Sequence, residues 1–176
     1  MKKDQYKFMS EEDLKIGRIN NGTVIDHIDA GYAITIISLT GLEKSHDLMT
    51  IGVNVPSNKF NKKDIIKIEN VFLNEVQMQK IAILSPNATI SLIDNYKVIE
   101  KKKVRLPSVI KKLILCVNKT CISNSLKEPI DSEFSVLEEK PLKIQCVYCD
   151  RIYNLDEITF RSKEKIEKKV SQQLTF

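Results

Sequence analysis

The segments CVNKTC, residues 116–121, and CVYC, residues 146–149, decide how the second half of this chain folds. The pairs Cys116-x4-Cys121 and Cys146-x2-Cys149 form two short knuckles about two dozen residues apart. Such knuckles can bring four thiolates to the corners of a tetrahedron around one Zn²⁺, leaving no open coordination position. A closed site of this kind builds structure rather than catalysing a reaction. Unrelated buried cysteines and two disulfides are the competing arrangements, and iron–sulfur ligation is chemically possible, although the spacing fits zinc ribbons better. Compartment separates metal from disulfide. The N-terminal MKKDQYKFMSEED is charged and lacks the apolar centre of a signal peptide. No later segment approaches the ~18 consecutive apolar residues of a membrane span. The chain therefore reads as cytoplasmic, where thiols stay reduced and this spacing favours metal.

Working outward, 176 residues with 42% hydrophobic content can bury a real core. They suggest one domain of about 100 residues and a smaller one that needs a staple. The 28 basic and 23 acidic side chains leave a net +5, too small to imply a nucleic-acid partner by itself. The basic residues cluster at Lys101, Lys102, Lys103 and Arg105, at Lys111 and Lys112, and in the run from Arg161 to Lys169. Each run reads most simply as a solvated face or a linker.

Residues 1–15 are polar and read as a mobile arm. Thr23 to Ile28 (TVIDHI) reads as a strand. Ala30 to Leu42 suits a strand by its β-branched residues and a buried helix by its length, and pattern alone leaves it open. Asp47 to Val55 and Lys63 to Val71 read as an antiparallel pair joined by a long loop with a turn at Pro56-Ser57-Asn58. Asn74 is a candidate N-cap with Gln77 three residues on, and Val76, Ile81 and Leu84 space a helical face that stops at Pro86. Ala88 to Ile93 alternates as a strand, with Tyr96 to Ile99 continuing it across the turn-prone Asp94-Asn95. With Ala30 to Leu42 open, the order predicts an α+β fold: a split βαβ layer, ferredoxin-like, with helices on one face of an antiparallel sheet, followed by a small antiparallel β zinc domain. Lys101 to Pro107 is the candidate hinge. The domain boundaries are 16–103 for the first domain, 104–158 for the zinc domain and 159–176 for a charged extension. Asp156 to Lys169 could form a helix or stay disordered.

Taken together, TVIDHI, MTIGVNVPS, KDIIKIENVFLNE, LIDNYKVI and the two knuckles, in that order, resemble the regulatory chain of bacterial and archaeal aspartate carbamoyltransferase. The resemblance covers about residues 16–155. It implies a nucleotide-binding N-terminal domain that pairs with a second copy across a shared sheet. It also implies a zinc domain that docks on the catalytic chain condensing carbamoyl phosphate with aspartate, in pyrimidine biosynthesis. By the same resemblance Ala30 to Leu42 is a helix, and the chain catalyses nothing.

The resemblance places effector contacts at Ile19, Asp26, His27, Lys67, Ser91, Ile93, Tyr96, Val98 and Lys101, with ATP and CTP as effectors. Lys101 falls on a phosphate-binding lysine, with Lys102 and Lys103 adjacent, and Ser91 stands where the family carries an asparagine. It places Asn118 and Arg151 at the catalytic-chain interface, with Thr120 in place of a second family asparagine. The residue types suit that chemistry. Two lysines and a histidine can neutralise a triphosphate through charge-assisted hydrogen bonds, and histidine adds a pH-sensitive donor. Taken singly, His27 reads as a strand-end or core histidine, Lys67 as an exposed strand lysine, Asp26 as a turn cap, and Ile93 and Tyr96 as packing. A nucleic-acid-binding zinc ribbon is the alternative function, but the chain has six Phe, five Tyr and no Trp, spread along its length without a stacking platform. An enzyme fits less well, because no Gly-rich phosphate loop or nucleophile–base pair is visible. Neither a nucleic acid nor a membrane is an expected partner.

Overall fold

The computed structural model describes residues 17–125 and 127–161. The arm over residues 1–15 and most of the charged extension lie outside the described residues. The first half runs β1 (Gly22–Asp29), α1 (Ala33–Thr40), β2 (Met49–Ser57), β3 (Asn61–Glu69), α2 (Glu75–Leu84), β4 (Thr89–Asp94) and β5 (Lys97–Lys103). The second half runs β6 (Val109–Lys111), β7 (Ile114–Leu115), β8 (Glu133–Glu139), β9 (Leu142–Cys146), β10 (Ile152–Asn154) and β11 (Thr159–Phe160).

The first five strands form one antiparallel sheet in the order β2-β3-β1-β4-β5. Ile25 pairs with Ile66 and with Ile90, so these three side chains share one face. That face is the core, packed with Ala33, Ile36 and Ile37 of α1 and Ile81 of α2. The architecture is the expected α+β layer, with two helices covering the sheet.

Backbone geometry is exacting at Gly22, which opens β1 at φ +133°. A Cβ there would lie 2.2 Å from the Ile68 carbonyl oxygen, so only glycine fits. Between Ile25 and Ile28 the β1–β3 register shifts, and His27 takes φ 58°. This bulge interrupts the pairing of Asp26 and His27 with β3 and re-aims the His27 side chain.

Ala30 to Leu42 resolves as the helix α1, and the reason lies outside the segment. Asp64 of β3, fully buried, accepts from the N–H groups of Gly31 (2.8 Å) and Ala33 (3.1 Å) through Oδ2, and from Asn54 N–H (2.8 Å) through Oδ1. A carboxylate at a helix start satisfies otherwise orphaned donors and complements the helix dipole. At the other end Gly41, φ 76°, closes the helix by donating to Ile37 and Ser38. The α2 capping box forms as read, with Gln77 N–H to Asn74 Oδ1 at 2.9 Å and Asn74 N–H to Gln77 Oε1 at 3.0 Å.

Three local expectations are corrected. The β2–β3 connection is tight, because Ser57 pairs with Asn61 and Pro56 belongs to the strand. Val76 is half exposed, whereas Ile81 and Leu84 are buried. The hinge is shorter than Lys101 to Pro107. Lys101–Lys103 finish β5, and Val104 is buried in the first core with its N–H on the Ala88 carbonyl.

The second core gathers Ile110, Leu113, Ile114, Phe134, Ile144 and Tyr153 around the cysteines. It includes Ile83 of α2, and Leu106, Leu155 and Phe160 pack against both cores, so the two halves share a hydrophobic seam. The described part of Asp156 to Lys169 is not an α-helix. Leu155–Glu157 make a single helical turn, and β11 pairs with β7, followed by Arg161 bonded to Asp131 at 2.9 Å.

Candidate functional site

The cysteine cluster is built by two knuckles facing one another across the second core. In the first, Asn118 holds the turn by accepting from Thr120 N–H (3.1 Å) and its hydroxyl (2.8 Å) through Oδ1. Asn124 Nδ2 donates to the carbonyls of Cys116 and Asn118. The second knuckle follows β9 directly, with Asp150 N–H on the Cys146 carbonyl. The four Sγ atoms lie within 4.8 Å of one another, Cys116–Cys149 at 3.6 Å and Cys121–Cys146 at 3.8 Å. A disulfide needs about 2.05 Å, and all four thiols are free. Ligands about 2.3 Å from a tetrahedral metal stand ~3.8 Å apart. The donor set therefore fits a metal ion.

Burial pushes the Cys116 thiol up to about 12, against lowering hydrogen bonds from Tyr153 and Asn118. Burial also raises Cys146. At Cys149 burial is outweighed by the hydrogen bond from the Arg151 backbone and by those from Cys116, Asn118 and Cys146, bringing it to about 7. Buried thiols that resist ionising are stabilised as thiolates by a cation among them. Supporting groups that spacing could not reveal are Tyr153, whose hydroxyl lies 3.2 Å from Cys116 Sγ, and Ser123, 3.2 Å from Cys121 Sγ. Arg151 is exposed, its guanidinium 5.7 Å from the centre of the Tyr153 ring.

A second cluster lies on the sheet face that the helices leave uncovered. Lys67, Val24, Ser91 and Lys101 are successive partners across β3, β1, β4 and β5, so they stand in one row on one face. Asp26 and Lys103, both paired through Thr89, stand one step along, and Ile93 and Val98 pair on the other side of the row. Asp26 Oδ1 is 2.6 Å from Lys63 Nζ, which opens KDIIKIENVFLNE but is not among the expected effector contacts. Burial raises the Asp26 carboxyl, but hydrogen bonds from Lys63 and the His27 N–H leave it below its ordinary range. His27 Nδ1 lies 3.3 Å from Asp26 Oδ2 without an aligned hydrogen bond, and its ring meets Phe60 edge-on. Burial lowers the His27 pKa; Asp26 opposes this, and Lys63, Lys101 and Lys59 add to it. Lys67 is lowered by burial as well and donates to the Gly17 carbonyl at 2.6 Å. Ile19 is buried in the stretch between Gly17 and Asn21, and Tyr96, exposed at the β4–β5 turn, donates its N–H to Asn20. The expected residues thus share one face and its margin, with Ser91 and Ile93 buried and Val98 exposed. A cavity of about 620 Å³ lies between α2 and the end of β5, lined by Met78, Ile90 and Val104 and edged by Lys101, Lys102 and Lys103.

Two family models match the two halves. The aspartate carbamoyltransferase regulatory chain allosteric domain matches residues 14–105, and the metal binding domain of the same chain matches residues 108–159. The chain belongs to the aspartate carbamoyltransferase regulatory chain family. It is 44% identical over 150 residues to the aspartate carbamoyltransferase regulatory chain of Ignicoccus hospitalis, covering 84% of this chain and 96% of that one. It is 44% identical to the Thermoplasma volcanium chain of that name over 147 residues, with 83% and 96% covered. For that of Vibrio parahaemolyticus the identity is 41% over 152 residues, with 86% and 98% covered. This is a regulatory rather than a catalytic chain, its allosteric domain on the five-stranded sheet and its metal-binding domain around the cysteines. No helix among the described residues is long and apolar enough to cross a membrane.

Proposed function

We propose that the helix-free face of the allosteric domain binds nucleoside triphosphates, with ATP and CTP as effectors. The catalytic chain it controls then serves pyrimidine biosynthesis in the cytoplasm. The row from Lys67 to Lys101, with Asp26 and His27 beside it, carries this reading. Three inter-strand spacings separate the two lysines, roughly 14 Å, a span suited to an elongated ligand held at both ends. Buried Ser91 and Ile93 offer a smaller, less polar floor between them. The cavity beside α2 shares Lys101 and Lys103 with the helix-free face but lacks Asp26, His27 and Lys67.

The cysteine cluster takes one structural Zn²⁺ per chain, held by Cys116, Cys121, Cys146 and Cys149. Closed four-sulfur tetrahedra are the usual zinc donor set. Apparent binding energies of about 10–16 kcal/mol make the ion part of the folding of so small a domain. Its surface docks on the catalytic chain. Exposed Val117, Ile122, Val147 and Tyr148 lie in or beside the knuckles, with Asn118 inside the first and Arg151 two residues past Cys149. Apolar groups presented on a rigid scaffold reduce the ordering cost of association. Two regulatory chains pair through β2, an edge strand without a charged residue.

Calorimetric titration of the full chain with ATP and CTP, beside kinetics of the cognate catalytic chain with and without it, tests the whole reading. Saturable binding of both nucleotides and a shift in substrate saturation are expected. Equal weak binding to the wild type and to a Lys67→Ala/Lys101→Ala double variant would count against the effector face.

A further inference from the structure

Asp29, the last residue of β1, begins a line of hydrogen bonds that leaves the allosteric domain. Its N–H donates to Ser85 Oγ (2.7 Å), which donates back to Asp29 Oδ2 (3.2 Å). Asn87 Nδ2 donates to Asp29 Oδ1 at 3.3 Å. The other end of the Asn87 amide accepts from Lys140 Nζ at 2.5 Å. Lys140 lies between β8 and β9, so this bond joins the α2–β4 loop of one domain to the other domain.

The apolar packing beneath that bond is incomplete. A cavity of about 290 Å³ opens between the domains, lined by Tyr32, Leu84 and Pro86 on one side and Pro141, Leu142 and Leu155 on the other. Faces packed without a void resist sliding, whereas a void leaves room for more than one arrangement. Directional bonds at the rim then select among them.

The position of Asp29 gives the line a direction. It follows His27 by two residues on the same strand, beyond the bulge where β1 pairing with β3 is interrupted. A ligand that flattens or deepens the bulge moves the strand end that holds Ser85 and Asn87. Lys140 itself is exposed, so water can replace Asn87 at its ammonium group at small cost. A contact that opens cheaply can be biased by the difference in effector affinity between two arrangements.

We propose that Asn87 and Lys140 are positioning residues: a polar latch across the domain boundary that sets the angle between the domains and relays effector binding to the metal-binding domain. The relay rests on the effector reading given above. The latch touches neither the effector face nor the metal.

The test uses regulatory chains carrying Asn87→Ala, Lys140→Met, Lys140→Arg, or the first two together, each assembled with the cognate catalytic chain. Lys140→Met is the safeguard against misfolding, since that side chain is exposed. Metal content and nucleotide affinity stay within about twofold of wild type, while the effector-induced shift in substrate half-saturation falls by about half or more. The double variant is no worse than Asn87→Ala alone, because that change already removes the bond to Lys140. Lys140→Arg, which keeps a donor, retains more of the response than Lys140→Met. A full response in Asn87→Ala and Lys140→Met overturns the latch and leaves the effector reading standing. A wild-type chain that binds neither nucleotide overturns both.

Discussion

His27 sits where burial, a carboxylate and three lysines compete for one proton. The net effect favours the neutral ring. The unfolded state therefore takes up the proton first, near the ordinary histidine value of about 6.5. Below that pH, folding stability falls on account of His27; above it, the residue adds no pH dependence. A bound polyphosphate reverses the local balance by supplying negative charge, so binding and protonation reinforce each other. ATP affinity should rise as pH falls from 8 toward 6, with proton uptake visible as buffer-dependent heat, and His27→Gln should flatten the profile. An affinity independent of pH in the wild type would place the phosphates away from His27. The lysine run resolves in the same way. Strand alternation puts Lys101 and Lys103 on the effector face and Lys102 on the other, where Glu100 engages it. Lys101→Ala should weaken a triphosphate by about 1.5–3 kcal/mol, roughly ten- to a hundredfold, and leave the bare nucleoside nearly unaffected. Lys103→Ala should have a smaller effect of the same kind and Lys102→Ala none, as calorimetry on the three variants can read. The four sulfurs were legible because ligand chemistry fixes residue type and spacing together. The Lys63 contact to Asp26 and the Tyr153 contact to Cys116 were not, since each joins residues 37 positions apart with no motif between them.

At the scale of elements, α1 shows where local pattern runs out. Its eight residues, AITIISLT, satisfy a buried helix and a strand equally. What decides is Asp64, 31 residues beyond Ala33, whose carboxylate takes three backbone donors in a fully buried position. Nothing in a sequence window around α1 contains that information. The α2 start, by contrast, was readable because its cap is made by Asn74 and Gln77 themselves. The hairpin between β2 and β3 was read as looser than it is, because proline and serine suggest a turn even where an edge strand tolerates them. Asp64→Ala strands the N–H groups of Gly31, Ala33 and Asn54 without acceptors. It should destabilise the allosteric domain by about 3 kcal/mol or more, lowering its melting temperature by roughly 10–20 °C. Hydrogen exchange should locate the loss at α1 and around Asn54 of β2. Unchanged protection of α1 in that variant would mean that its own apolar face suffices to hold it.

For the whole molecule the two edges of the large sheet differ in charge, and the proposed pairing follows from that difference. The outer strand β5 is exposed throughout and carries four lysines against one glutamate, so two copies meeting there would repel. The opposite edge, β2, has no charge and exposes Ile51 and Val53, with Leu48 exposed just before the strand. The proposed self-pairing through β2 would bury those side chains and continue the sheet across a two-fold axis. The metal-binding domain lies at the far end of the chain and presents a different apolar surface, so the two contacts should fail independently. Displacing the metal with a mercurial should release the catalytic chain while regulatory dimers persist. Ile51→Lys with Val53→Lys should yield regulatory monomers that keep their metal and still bind catalytic chain. Ile99→Lys, on the β5 edge, should change neither. Sedimentation of the three preparations with and without catalytic chain reads each outcome. Loss of dimers on metal removal would show instead that the metal-binding domain carries the pairing contact, leaving the charge-free edge of β2 without a role.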